Sequence, residues 1–344
     1  MSAPAPELAV IIPYYQVEPG LLRHCVRSVL SQRGGVDVRI VIVDDESPVS
    51  ADEELDGVSP GDGASIRIVR RPNGGPAAAR NTGLDSLPPG TRFVAFLDSD
   101  DRWGGRFPES AVSALHRGFD LFFGNTLRVS KKRPRFAWDR DPARNLHPGD
   151  HSLIDEARGI YAFQGDLLDL LIHRSNVVST TAMAYRFDRH SSLRFRESLF
   201  QGEDRLFKLT LGQRLGQGLG QAAFSPRIHA TEGRGVNVFD QAGWGSEGSM
   251  RRTASYIRLS RLILREVRLD VRQRGHVRGR LAWARRTFAA ELLHVAGRGK
   301  PVDWGVFWST LRDDPATGAL LLPNLLHLAG ARFAGGRRGG RKRA

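Results

Sequence analysis

Runs of apolar, often β-branched residues alternate with helical patterns over residues 1–125. The strand-like runs are, in order, LAVIIPYY, VRIVIVD, IRIV, RFVAFL and FDLFFGN. After the first run, Leu22, Val26 and Val29 recur at the three-to-four-residue spacing of a buried helix face. Strands that are apolar at nearly every position are covered on both faces, and their alternation with helices favours a parallel sheet. We therefore predict an α/β fold, a mostly parallel sheet flanked by helices.

The pattern changes further along the chain. Residues 126–160 are polar and loop-rich and contain KKRPR, after which helical and strand patterns resume through FQGDLLDLLIHR and VVSTTAMAYRF. From about 250 to 296 an Arg-rich helical pattern predicts a long helix that is interrupted near Gly275 and Gly279. These changes predict four segments, namely 1–125, 126–245, a basic, mainly helical region at 246–330, and a basic flexible tail at 331–344.

The positive charge is confined to the last third of the chain. The net charge is +14, but residues 251–344 carry 21 Lys and Arg against 6 Asp and Glu, while residues 1–250 carry 30 against 31. Such a segment is attracted to a polyanion, either nucleic acid or an anionic membrane surface. No zinc, helix-turn-helix or RNA-binding signature accompanies it, so we expect a membrane surface and no nucleic acid. The arginines either line the solvated face of packed helices or form a basic amphipathic surface on lipid.

Cysteine usage and hydropathy bear on the compartment. The single Cys25 excludes an internal disulfide, and its apolar neighbours predict a buried side chain. No basic, then apolar, leader pattern opens the sequence, and no run of about 18 apolar residues occurs. We therefore expect a cytoplasmic protein.

Acidic residues follow two of the predicted strands. Asp44 and Asp45 end the second strand run, and Asp98, Asp100 and Asp101 end VAFLDSDD. Acids often follow strands as turn formers and helix caps. However, parallel strands end at one edge of a sheet, where ligands of such folds bind. Carboxylates gathered there suit Mg²⁺ or Mn²⁺, with a diphosphate supplying the remaining oxygen ligands.

Two further motifs carry candidate chemistry. RPNGGPAAARNTGL is a Gly-Gly-Pro turn followed by a helix whose first amides could face an anion, with Arg80 and Asn81 one turn later. The alternative is an ordinary helix with a solvated arginine. QGEDRLF places Glu203 and Asp204 at a helix start, where the helix dipole favours acids in any case. One of the two acids could instead be a general base.

Together the motifs VIIPYYQ, VDDES, NGGPAAARNTG, FLDSDD and GED resemble the inverting glycosyltransferase family 2, whose fold is GT-A. The resemblance extends over residues 8–210, and the first strand is similar to bacterial exopolysaccharide glucosyltransferases of the succinoglycan type. It implies that residues 1–125 bind a nucleotide sugar and that 126–245 form the acceptor side.

The resemblance also implies roles for individual residues. The donor is usually a UDP-sugar in this family. Its uracil would lie beside Pro13 and Tyr14, with Asp44 or Asp45 at the uracil N–H. Asn73, Gly75 and Arg80 would line the nucleotide and sugar, and Asp98 would contact the ribose or the metal. Asp100 would ligate Mn²⁺ or Mg²⁺, and His229 would complete the metal or phosphate shell. Asp204 would be the base, with Glu203 positioning it or contacting the acceptor.

The implied function is an inverting, metal-dependent transfer of one sugar. The expected reaction moves glucose from UDP-glucose, in β-linkage, onto a lipid-linked exopolysaccharide repeat unit at the inner face of a bacterial cytoplasmic membrane. The chain lacks the Gln-x-x-Arg-Trp motif of processive synthases, which favours single addition. The alternatives are another UDP-sugar for lipopolysaccharide or capsule, a non-catalytic sugar-nucleotide binder, and a polyanion-binding protein. A dinucleotide-binding oxidoreductase is disfavoured because no Gly-x-Gly-x-x-Gly follows the first strand.

Overall fold

The computed structural model describes residues 7–128, 133–137, 142–233, 246 and 248–326. These residues divide into two compact units, the first formed by residues 1–197 and 203–236 and the second by 198–202 and 237–344. The boundaries predicted at residues 125, 245 and 330 stay predictions, and the predicted flexible tail lies outside the described residues. None of the described helices is long and apolar enough to cross a membrane.

The first unit is built on one mixed sheet. Its strands are β1 (Leu8–Tyr14), β2 (Val38–Asp44), β3 (Ala64–Arg70), β4 (Phe93–Phe96), β5 (Arg102–Trp103), β6 (Leu121–Arg128), β7 (Arg133–Pro134), β8 (Ser152–Asp155), β9 (Ile160–Ala162), β10 (Met183–Arg186) and β11 (Ala222–Glu232). The main order is β3-β2-β1-β4-β10-β6-β11-β9-β8. The first four strands in this order are parallel, which confirms the predicted parallel half, whereas β10 runs antiparallel to both β4 and β6.

Helices cover the sheet of the first unit. They are α1 (Leu21–Gln32), α2 (Ala51–Leu55), α3 (Gly75–Asp85), α4 (Phe107–His116), α5 (Leu167–Arg174), α6 (Phe187–His190) and α7 (Glu203–Arg214). One core cluster joins the buried faces of β1, β2 and β4 to α1 and α4, and it includes Cys25, which is fully buried as predicted. A smaller cluster on the opposite face of the sheet contains Val41, Val43 and Ala79 of α3.

The close approach of α3 to the sheet depends on a glycine. A Cβ at Gly83 would lie 2.5 Å from Cγ2 of Ile11 on β1 and 3.3 Å from Val43 on β2. Ala77, Ala78 and Ala79 on the same helix are also buried. Small residues therefore let α3 lie against the sheet, which brings Arg80 of this helix to the edge where the strands end.

The second unit is helical. It contains α8 (Ser249–Glu266), α9 (Val271–Ala296), α10 (Trp304–Asp313) and α11 (Pro315–Ala319), with residues 321–326 also helical. Its core is a cluster that includes Met250 and Ile257 of α8, Leu281 and Phe288 of α9 and Phe307 of α10. The predicted mainly helical C-terminal region is thus confirmed, and its helices have a core of their own.

The predicted helix interruption near Gly275 and Gly279 is wrong. Both glycines lie inside α9, and the helical stretch is broken earlier, between Glu266 and Val271. Asp270 caps α9 there, because its side chain accepts the Gln273 N–H while the Gln273 side chain accepts the Asp270 N–H. This reciprocal capping box starts a new helix, whereas an isolated glycine only weakens one.

A pair of Gly→Ala substitutions tests the close approach of α3. In Gly83→Ala the new methyl group collides with Ile11, so we expect the free energy of unfolding to fall by about 1–3 kcal/mol. Gly279→Ala is the matched control, because nothing lies within 4 Å of its Cβ position, and alanine there should stabilise the helix by about 0.5–1 kcal/mol. Urea unfolding measures both. Wild-type stability of Gly83→Ala would show that the helix is not in close contact with the sheet.

Candidate active site

The predicted site residues of the first unit, apart from His229, gather at the carboxyl edge of its parallel strands. Tyr14 at the end of β1 lies opposite Asp44 at the end of β2, and the Asp98–Asp101 turn follows β4 on the other side of β1. The N-terminus of α3 joins the same edge, because the N–H groups of Gly74 and Gly75 donate to Asp45.

Asp44 and Asp45 both hold backbone turns. The carboxylate of Asp44 accepts N–H groups from Ser47 and Ala51 at 2.9 and 3.2 Å. The carboxylate of Asp45 accepts those of Gly74 and Gly75 at 3.0 and 2.7 Å. Both residues are buried. Their predicted contact with a uracil N–H stays a prediction. In the structure, both carboxylates hold backbone loops in place beside this edge of the sheet.

Tyr14 belongs to the core. It is 1% exposed, and burial raises the pKa of its hydroxyl to about 12. Pro13 is half-buried and pairs in register with Val43. Tyr15, which the sequence analysis did not single out, is 39% exposed just after the strand ends. Its aromatic ring is therefore available to stack on a nucleobase. The in–out alternation of side chains along a strand, which buries Tyr14, could have indicated that Tyr15 is exposed.

The acids after β4 differ in burial. Asp101 is 5% exposed and accepts the Gly233 N–H at 2.8 Å. Burial, together with the negative charges of Asp98 and Asp100, raises the pKa of Asp101 well above its usual range. The side chain of Asp98 is 39% exposed and accepts a hydrogen bond from Arg80 at 2.6 Å. The turn therefore brings three carboxylates together, and Arg80 pairs with the one on Asp98.

Arg80 connects the Asp98–Asp101 turn to the GED motif at residues 202–204. Its Nη2 donates to Asp98 at 2.6 Å and its Nη1 donates to Glu203 at 3.0 Å, and its side chain is 6% exposed. Although burial disfavours a charged guanidinium, the carboxylates of Asp98 and Glu203 raise the pKa of Arg80 above its ordinary value. The ring of Phe195 lies 5.2 Å from the guanidinium carbon. Arg80 is thus a fixed cation between two functional segments.

Glu203 and Asp204 have different surroundings although they are adjacent. The side chain of Glu203 is 10% exposed, and burial and the charge of Asp204 raise its pKa, an effect that Arg80 opposes. The side chain of Asp204 is 37% exposed and accepts a hydrogen bond from Lys208 at 2.7 Å. Burial alone would raise the pKa of Asp204, but Lys208 outweighs it and lowers the pKa to about 2. Asp204 is therefore an ionised, accessible carboxylate at neutral pH, and Glu203 is held by Arg80.

Two positioning residues support these groups, and of the two the sequence analysis singled out only Asn81. Lys208 is 4% exposed and also donates to the Val178 carbonyl, so its ammonium is fixed beside Asp204. The side-chain amide of Asn81 donates to the Phe195 carbonyl and accepts the Phe195 N–H. The same amide also donates to the Glu197 carboxylate at 2.7 Å. The i, i+4 spacing of Asp204 and Lys208 could have indicated the first pair. Nothing in the local sequence marks the contacts of Asn81, which span more than a hundred residues.

His229 is placed in the interior on β11. It is 0% exposed, its ring centroid lies 5.8 Å from those of Phe107 and Phe122, and burial lowers its pKa to about 4. It is therefore a neutral imidazole between aromatic rings, not a surface-loop histidine. Its predicted ligand role stays a prediction.

A divalent cation fits the chemistry of the Asp98–Asp101 turn. Carboxylate oxygens are the ligands that hard cations prefer, and the mutual repulsion that raises the pKa of Asp101 would be relieved by a positive ion. In the described part of the chain no group of three or more His, Cys, Asp and Glu forms a ready metal site. Asp100, assisted by Asp98, would therefore supply the minority of the ligands, with diphosphate oxygens supplying the rest.

The comparisons with known proteins agree with this geometry. Residues 9–188, slightly more than half of the chain, match the profile of Glycosyl transferase family 2. The succinoglycan biosynthesis protein ExoW of Rhizobium meliloti (strain 1021) is 50% identical over 97 residues, which are 28% of this chain and 30% of that protein. The matched region thus spans less than a third of that relative.

Solved structures show the same fold. The structure of S. aureus TarS 1–349 in complex with UDP-GlcNAc has a TM-score of 0.53 at 18% identity, over 84% of this chain and 72% of that chain. The mannosyltransferase PcManGT from Pyrobaculum calidifontis, in complex with GDP-Man and Mn²⁺, has a TM-score of 0.52 at 15% identity, over 96% of this chain and 87% of that chain. The predicted GT-A-like fold is confirmed.

The Arg80 bridge gives a testable consequence for stability. Arg80→Met leaves Glu203 buried without its cation, so we expect the free energy of unfolding to fall by about 3 kcal/mol, the lower end for a broken buried ion pair because Asp98 can rehydrate. Arg70→Met is the matched control, since Arg70 is 65% exposed in its pair with Asp52 and should contribute less than about 1 kcal/mol. Urea unfolding compares them, and equal losses would contradict the bridge.

Proposed function

This chain belongs to glycosyl transferase family 2, and on that premise we propose that it transfers one sugar from a UDP-sugar, with inversion, to a hydroxyl group of a lipid-linked acceptor. It is a glycosyltransferase related to exopolysaccharide glycosyltransferases. The observation that carries the finer proposal is the pairing of an accessible, ionised Asp204 with Lys208 beside an Arg80-held Glu203.

The proposed chemistry uses Asp204 as the general base. The Asp204 carboxylate takes the proton of the acceptor hydroxyl while that oxygen attacks C1 of the sugar. The bond between C1 and the diphosphate oxygen breaks, and UDP leaves with the bonding electrons. Attack opposite the leaving group inverts the anomeric centre, so an α-linked donor gives a β-linked product. Glu203 takes no proton here, because Arg80 holds it in the buried bridge to Asp98.

Asp98 and Asp100 would hold the divalent cation, Mn²⁺ or Mg²⁺. When bound, it supplies positive charge that stabilises the leaving diphosphate. Arg80 keeps Asp98 oriented from the helix side, and the N–H groups of Gly74 and Gly75 keep the NGGP turn at the same edge through Asp45. The complexes of TarS with UDP-GlcNAc and of PcManGT with GDP-Man and Mn²⁺ support a nucleoside-diphosphate sugar and a metal.

UDP-glucose is the proposed donor. The similarity to the succinoglycan biosynthesis protein ExoW supports an acceptor in exopolysaccharide assembly, and Tyr15 offers an exposed ring beside the strand end for the base. The other UDP-sugars used for lipopolysaccharide or capsule are the alternative donors within the same reaction.

A lipid-linked acceptor implies work at a membrane surface, and the second unit has suitable surface chemistry. Residues 251–326 carry 15 Lys and Arg against 6 Asp and Glu. Trp304 and Trp308 of α10 are 56% and 63% exposed, and Leu322 and Leu326 are also exposed. Tryptophan favours the membrane interface and arginine favours anionic lipid. We place this unit at the cytoplasmic-membrane inner face as a peripheral contact.

Asp204→Asn tests the base assignment. The amide keeps the shape but accepts no proton, so transfer from UDP-glucose to a lipid-linked acceptor should fall at least about a hundredfold, while the Kd for UDP should change by less than about twofold. Asp85→Asn is the control, because Asp85 is 62% exposed in a surface pair with Arg194. Transfer is measured as UDP release, and the product anomer by proton NMR. Retained transfer, or an axial (α) product, would contradict the proposal.

The membrane contact is tested on α10. Removing two exposed tryptophans in Trp304→Ser/Trp308→Ser should lower sedimentation with phosphatidylglycerol vesicles in 0.15 M salt about tenfold. Trp283→Ser controls for loss of an exposed indole elsewhere, since Trp283 on α9 is 49% exposed and contacts Tyr256. Equal sedimentation of the double variant and wild type would remove α10 from the membrane contact.

A further inference from the structure

A cavity of about 500 Å³ lies wholly within the second unit, between α8 and α10. Its lining combines basic, hydroxyl and apolar side chains, and no role assigned so far uses it. The wall also includes Ser198 and Phe200 of the short segment Ser198–Gly202. This cavity is distinct from the carboxylate edge of the first unit.

Four arginines of α8 line the cavity. Arg251, Arg258, Arg261 and Arg265 follow one another at spacings of seven, three and four residues, which places them on one face of the helix. Asp313 and Asp314 are the acids of the lining, while Arg251 and Arg265 pair with Asp303 and Glu266 outside it. The hydroxyl-bearing residues Ser255, Ser309 and Thr310 add further polar groups. Four guanidinium groups on one helix face offer many N–H donors to an anionic ligand.

The acids hold the central arginines in place. Arg258 pairs with Asp313 and also donates to the Ser198 carbonyl at 2.6 Å, and Arg261 donates to Asp314 at 2.9 Å. Asp314 is shared with Arg285 of α9. A guanidinium has five N–H donors, and these contacts leave donors available on both arginines. Oriented arginines with spare donors are typical of sites that bind phosphate groups in a bidentate manner.

Apolar side chains complete the lining. Phe200, Leu262 and Val306 lie in the same wall as the arginines, and Phe200 is 42% exposed. A free inorganic anion gains nothing from such neighbours, whereas an amphiphile with a phosphate group next to a hydrocarbon chain uses both. The cavity volume also exceeds what one phosphate fills. The lining therefore favours a lipid-bound phosphate or diphosphate.

We propose that this cavity binds the phosphate or diphosphate group of the lipid that carries the acceptor. The inference rests on the proposed lipid-linked acceptor and adds where its charged carrier group is held. Phosphate oxygens bind Arg258 and Arg261, and the first part of the hydrocarbon chain packs on Phe200 and Val306.

The segment Ser198–Gly202 connects this site to the base in the sequence. The hydroxyl of Ser255 on α8 accepts the N–H groups of Phe200 and Gln201 at 3.0 and 3.3 Å, and a Cβ at Gly202 would lie 2.6 Å from Leu259. The next two residues are Glu203 and Asp204. Phe200, which lines the cavity, therefore lies four residues before the proposed base Asp204 in the sequence.

Calorimetric titration of farnesyl diphosphate and of inorganic diphosphate, in EDTA so that the metal-dependent donor site is silent, tests the proposal. Wild type should bind farnesyl diphosphate more tightly than inorganic diphosphate. Arg258→Gln/Arg261→Gln should weaken both at least about tenfold. Ser309→Phe, which fills the cavity without removing charge, should weaken farnesyl diphosphate similarly. The matched control is Arg272→Gln/Arg278→Gln, two exposed α9 arginines outside the lining.

The outcomes separate this inference from the proposed function. UDP titrated with Mn²⁺ should bind all variants like wild type, which also shows that they are folded. Intact UDP binding together with unchanged farnesyl diphosphate binding in the Arg258/Arg261 variant overturns the cavity assignment and leaves the transferase proposal standing. Equal losses in the control pair, or losses seen only with phosphatidylglycerol vesicles, also overturn it, because they indicate a general basic surface for lipid headgroups.

Discussion

The arrangement at the carboxyl edge of the parallel strands depends on the ion pairs of the buried Arg80 guanidinium. The guanidinium bonds Asp98, which follows the fourth strand, and Glu203, which begins a helix more than a hundred residues later. A buried arginine between two carboxylates cannot be lost without leaving an uncompensated charge. The position of Arg80 depends in turn on Gly83 and the alanines of the same helix, which allow that helix to lie against the sheet. Core packing and site electrostatics are therefore coupled through one helix.

The carboxylates at this edge fall into two groups, those of the GED motif and those of the Asp98–Asp101 turn. Lys208 neutralises Asp204 and Arg80 neutralises Glu203, so both acids of the GED motif have their own counterions. The Asp98–Asp101 turn brings three carboxylates together, and burial, together with the charges of Asp98 and Asp100, raises the pKa of Asp101 well above its usual range. A divalent cation that binds with the donor diphosphate would reduce the repulsion between these carboxylates only while it is bound. The proposed base is thus preorganised by Lys208, whereas the proposed donor site would be completed by its ligand.

Much of this architecture could be predicted from the sequence because it is local. The apolar runs predicted the strands of the parallel half, and the motifs DSDD, NGGP and GED identified candidate segments that the structure links through Arg80 and Asp45. Contacts between distant segments could not be predicted, since no local pattern shows that Asn81 holds residues 195–197 or that Asp45 anchors the NGGP turn. The helix break was misplaced for a different reason: a capping box at Asp270 outweighs two tolerated glycines.

The central claim is that the carboxylate edge binds UDP through a divalent cation held by Asp100. Calorimetric titration of UDP into wild type and Asp100→Ala, each with Mn²⁺ and with EDTA, tests it most directly. UDP should bind wild type only with Mn²⁺, Asp100→Ala should lose this binding, and GDP should bind more weakly. Equal binding with EDTA, equal binding to Asp100→Ala, or no UDP binding in any condition would contradict it.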